Sequence, residues 1–124
     1  MNTKLTVVLR ILLGLILVIF GANKFLDFMP HMEMPIKAAV LMGAMAKSGY
    51  MLKLVGATEV IVGLLLILKK WAPLALVVLA PISVNMVLFH LFLAPAGIGP
   101  AAIVTLINII LIYDSWGSYK KLFD

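Results

Sequence analysis

Apolar residues run through this chain in four long blocks, separated by short clusters of lysine, proline and glycine. A helix needs about 20 apolar residues to cross the hydrocarbon of a bilayer. Leu5 to Leu26 meets that length, and three further blocks follow at Met51 to Leu68, Ala72 to Ala94 and Ala101 to Tyr113. The pattern predicts an all-α integral membrane four-helix bundle, organised as one domain over 1–124. The longest connection, Asp27 to Tyr50, opens with FMPHMEMP, whose two prolines oppose continuous helix. Pro35 then stands where a helix begins and Ser48-Gly49 where it stops. The run between them, IKAAVLMGAMAK, makes about three turns and is too short to span. It is expected as a short interfacial helix covering one end of the bundle.

Composition agrees with the bilayer as solvent. Hydrophobic residues make up 65% of the chain and charged residues 12%, about half the usual charged share of a globular protein. A soluble domain of this size has too little interior to hide so much apolar surface. The net charge of +5 does not indicate nucleic acid, because the lysines sit at the ends of the apolar blocks. There they act as snorkelling anchors and contacts for anionic lipid. The absence of cysteine excludes disulfides, thiolate metal sites and CxxC redox chemistry. The first block is read as a retained helix, since no small-x-small cleavage site follows it. An even number of spans puts both termini on one side. The short Lys69-Lys70 loop and the lysine-bearing tail favour the cytoplasm for that side.

Against this apolar background, Glu59 stands out. It is the one acid well inside a span, and a bare carboxylate in hydrocarbon costs several kcal/mol, so it must be paired, wetted or protonated. Gly56, Glu59 and Gly63 lie three and four residues apart and share a helix face, which directs the acid toward a close neighbour. Arg10, Gly14 and Gly21 share a face of the first span in the same way, and glycines so spaced admit another helix. Counting at ~1.5 Å per residue, Glu59 and Asn85 each lie roughly 12 Å from the side carrying the long connection, and Asn108 about 13 Å. These depths predict a polar layer in which two carboxamides serve the acid, since Asn donates to a carboxylate and accepts from a carboxyl. Arg10 is deeper and either reaches Glu59 or snorkels the other way. Lys24, which closes the first span in GANKF, and His90, near the end of the third, complete the candidate ligand-binding set. The plainer reading of both asparagines is interhelical hydrogen bonding, and of His90 a place at the bundle edge or interface. Pro81 is expected to kink its helix.

Met29, His31, Met32 and Met34 combine thioethers and an imidazole, ligands suited to Cu(I). Methionine is also a flexible apolar filler, and the chain has eight, so no metal site is assigned. No phosphate loop, zinc spacing or nucleophile–base pair occurs, and the catalytic residues are unassigned.

The stretches LLGLILVIFGANKFLDFMP, SGYMLKLVGATEVIVGLLLIL and WAPLALVVLAPISVNMVLFHLFLAP resemble the DoxX family of small bacterial membrane proteins. The resemblance implies a four-helix, multi-pass protein of the bacterial inner membrane. The family takes its name from a subunit of a thiosulfate–quinone oxidoreductase, and members are linked to oxidative-stress complexes. It has no agreed catalytic set to transfer. The expectation is therefore a redox-associated subunit, at most an accessory to a membrane oxidoreductase, whose polar layer receives a quinone or similar small molecule. A membrane or redox protein would supply electrons, with self-association left open. A non-catalytic assembly protein is the alternative. A proton-coupled exporter ranks below both: the small multidrug resistance family carries its membrane glutamate in the first helix, whereas Glu59 is in the second.

Overall fold

The computed structural model describes residues 2–30 and 33–123. His31 and Met32, half of the methionine–histidine cluster, lie outside the described residues. The described residues form six α-helices: α1 (Thr3–Leu26), α2 (Ile36–Lys47), α3 (Met51–Leu68), α4 (Ala72–Leu93), α5 (Ile98–Asp114) and α6 (Trp116–Tyr119). Among the described residues, four stretches are long and apolar enough to cross a membrane: α1, α3, α4, and α5 together with the short 3-10 turn before it. The fold is an all-α membrane bundle, and its spanning helices contact the lipid bilayer.

Local chemistry sets the helix ends. Asn2 caps α1 by accepting from the Lys4 amide at 2.8 Å, which satisfies one of the open amides of a first turn. Asp27 ends α1 in the left-handed conformation, its amide donating to Asn23 O. The Asn23 side chain then accepts from the Met29 amide at 2.8 Å and fixes the exit of the chain. Pro35 is the N-cap of α2, as expected. α5 starts three residues earlier than the sequence suggested, taking Gly99 and Pro100 into its first turn. A first-turn proline sacrifices only an amide that has no helical partner there. The helix of α4 continues through Pro81, although that residue removes one backbone donor.

α1 packs on α3, α3 on α4, α4 on α5, and α5 back on α1. Leu13, Leu17, Val62, Leu66, Leu76, Leu79, Val104 and Leu111 meet in the interior. Tyr119, at the end of α6, donates to Pro73 O at 2.6 Å. That bond ties the tail to the start of α4, so the C-terminal region and the α3–α4 turn share one end of the bundle. The short helix α2 closes the other end against α3 and α4. Ala38 is its buried contact, while Ile36 and Val40, four residues apart, are exposed together. An apolar edge of this kind suits a helix lying in the interface.

Candidate functional site

The antiparallel seam between α1 and α3 is the most extensive contact in the molecule. Two glycine pairs make it so close. A Cβ on Gly14 would stand 2.7 Å from Gly63 O, and one on Gly63 would stand 2.7 Å from Gly14 O. Seven residues further along, a Cβ on Gly21 would meet Gly56 O at 2.7 Å, and one on Gly56 would meet Gly21 O at 2.9 Å. The spacing of 14 and 21 against 63 and 56 fixes one register for both pairs. Backbone therefore lies on backbone, as small residues permit at membrane helix crossings.

Glu59 projects from this seam into the bundle and is 1% exposed. Its carboxylate Oε1 pairs with Lys24 Nζ at 2.6 Å, and the Lys24 side chain keeps 23% of its surface exposed. In the glycine register Lys24 lies opposite position 53, so Glu59 is six residues, or roughly 9 Å, deeper. Two features close that gap. Side chains lean toward the N-terminus of their own helix. Because α1 and α3 run oppositely, Lys24 leans into the membrane and Glu59 leans out to meet it. The long lysine stem supplies the remaining reach.

The other expected members of the polar layer take different partners. Asn108 is 2% exposed and Ser83 1%. Ser83 Oγ donates to Asn108 Oδ1, and Asn108 Nδ2 donates to Leu76 O, both at 3.1 Å. Asn108 thus joins α5 to α4, with Thr105 Oγ1 adding a 3.2 Å bond to Ser83 O. Asn85, two residues beyond Ser83, is exposed on the outer face of α4; equal depth put it level with Glu59, but two residues of helix turn it to the opposite side. Arg10 takes the second of its two options. Its guanidinium donates to Leu66 O and, at 3.3 Å, to Ile67 O, carbonyls in the last turn of α3, where Leu66 O also accepts from the Lys69 amide at 3.4 Å. The half-buried His90 lies 3.3 Å from Ala94 O and packs edge-on against Phe89, at the end of α4. Sequence reasoning left Ser83 and Thr105 without a role. Ser83 follows Leu76 by two turns on the buried face of α4, and that periodicity carried the signal.

What the arrangement offers chemically is one buried ion pair with a partly open cation. Among the described residues, no three histidine, aspartate or glutamate side chains gather as metal ligands. The DoxX family model matches residues 5–91. The chain belongs to the DoxX family. The match takes in the glycine seam, Lys24, Glu59, Asn85 and His90, and stops before α5 and Asn108. Neither curated proteins nor solved structures give a match to the chain.

Proposed function

We propose that this DoxX-family protein is an accessory membrane subunit of a redox assembly in the bacterial inner membrane, with both termini in the cytoplasm. The observation that carries the accessory role is the Lys24–Glu59 pair at 2.6 Å. The buried Glu59 carboxylate is bound to the neighbouring helix, and Asn108 is likewise bound to α4. These buried polar groups hold a defined scaffold together, and electrons come from a partner protein. Gentle solubilisation from native membranes tests this. The reading expects one stoichiometric redox protein to copurify. A chain that purifies alone, and by itself reduces a quinone from an artificial donor, would overturn it.

A second reading rests on the 23% exposure of Lys24. An ammonium has three donors, and one faces Glu59. The others suit the carbonyl of a quinone head group arriving from the bilayer, with Glu59 placed to relay a proton. The geometry gives Asn85 no part in this site. Loss of binding of a short-tailed quinone in Lys24→Met supports this reading; undiminished binding removes it.

A further inference from the structure

Of the asparagines within the spans, Asn85 has no hydrogen-bond partner among the described residues, and it is exposed. α4 has 22 residues, and Asn85 lies only about 4 Å past its midpoint, far from either headgroup layer. A carboxamide with two donors and an acceptor therefore faces outward at the middle of the membrane, where lipid tails offer nothing to bond.

Val78, Pro81, Val84, Leu88 and Leu91 are exposed beside it, so Asn85 is a polar residue on a continuous apolar face of α4. On a helix face packed against another helix, a single asparagine commonly fixes register and partner number. Mere lipid contact disfavours the asparagine.

We propose that this face of α4 binds a second copy of the chain, with the two Asn85 side chains exchanging reciprocal hydrogen bonds across a twofold axis along the membrane normal. Two features favour a second copy over another protein. A carboxamide is self-complementary, its Nδ2 donating to the Oδ1 of its twin. Copies inserted in the same orientation also place Asn85 at the same depth automatically. In an isologous contact each seam residue near the axis meets its own counterpart. This inference stands apart from the accessory-subunit reading, because it concerns the purified chain alone.

The natural chain has no cysteine, so single substitutions report proximity cleanly. Purified Leu88→Cys, diluted into phosphatidylethanolamine–phosphatidylglycerol vesicles and oxidised, is expected to give a disulfide dimer. Leu106→Cys, equally apolar and 59% exposed on α5, is the control expected to stay monomeric. Adding Asn85→Leu to Leu88→Cys should lower the dimer association constant roughly eightfold, as loss of two intramembrane hydrogen bonds of average strength implies. Asn85→Gln should retain most of it. Unchanged thermal unfolding of Asn85→Leu at high dilution would show that the monomer fold is intact. Equal cross-linking at 88 and 106, a dimer indifferent to Asn85→Leu, or capture in native membranes of a different protein in place of the twin would each overturn the proposal.

Discussion

Replacing Gly21 with alanine adds one carbon where the seam has no room. The new Cβ would lie 2.7 Å from Gly56 O, 2.8 Å from Val60 Cγ2 and 3.0 Å from Glu59 Cβ. Carbon contacts are comfortable at about 3.5 Å or more, so α1 and α3 must part locally by most of an ångström. Two of the three obstacles are a backbone oxygen and a first side-chain carbon, which rotamer changes cannot move. Overpacking of this kind costs about 1–3 kcal/mol, while alanine regains about 0.5–1 kcal/mol of helix propensity over glycine. The net expectation for Gly21→Ala is a loss of roughly 1–2 kcal/mol. Gly43→Ala supplies the opposite control. Gly43 is in α2, and a Cβ there meets nothing within 4 Å, so only the propensity gain of about 0.5–1 kcal/mol remains. Reversible unfolding of both variants in bicelles reads the two signs directly. Gly21→Ala as stable as the natural protein, or stabilised like Gly43→Ala, would refute the backbone-on-backbone seam.

Other regions give independent outcomes. Lys69 closes α3 with φ 54°, a conformation that costs a side-chain-bearing residue about 1–2 kcal/mol, so Lys69→Gly should raise unfolding stability by about 1 kcal/mol. Tyr119→Phe removes the bond to Pro73 O and should lower stability by about 1 kcal/mol near neutral pH, loosening the tail to limited proteolysis. Burial also raises the Tyr119 phenol above its ordinary range. Below pH about 10 both folded and unfolded phenols are neutral, and stability does not change on this account. At higher pH the unfolded phenol ionises first, so this contribution is lost as pH rises through the folded pKa. The natural protein should therefore show a steeper alkaline loss than Tyr119→Phe in parallel urea titrations.

The spans and the glycine faces were legible in the chain because helical periodicity is a local property. Gly56, Glu59 and Gly63 must share a face wherever the helix is packed, and Gly14 with Gly21 must likewise. The partner of Glu59 was harder. Counting residues gives depth but not direction around a helix, and depth alone grouped Asn85 and Asn108 with the acid. Lys24 looked like a span-ending anchor because lysines near helix ends usually reach outward. Here the antiparallel neighbour carries an acid within reach, and the lean of the α1 side chains points Lys24 inward. Arg10 shows the converse. It shares the glycine face, yet its guanidinium donates to carbonyls in the last turn of α3 and not to Glu59. Such choices depend on tertiary neighbours, which periodicity does not specify.

A double-mutant cycle between Lys24 and Glu59 tests the ion pair most directly. Lys24→Met alone leaves the Glu59 carboxylate buried without its partner, a situation that costs about 3–5 kcal/mol, whereas Glu59→Gln alone leaves an ammonium that is partly open. Lys24→Met and Glu59→Gln together remove both charges, so their joint effect should fall well short of the sum. The structure predicts a coupling of at least about 2 kcal/mol from unfolding in bicelles. Additivity within about 0.5 kcal/mol, the behaviour of residues that do not touch, would contradict the pairing of Lys24 with Glu59 across the α1–α3 seam.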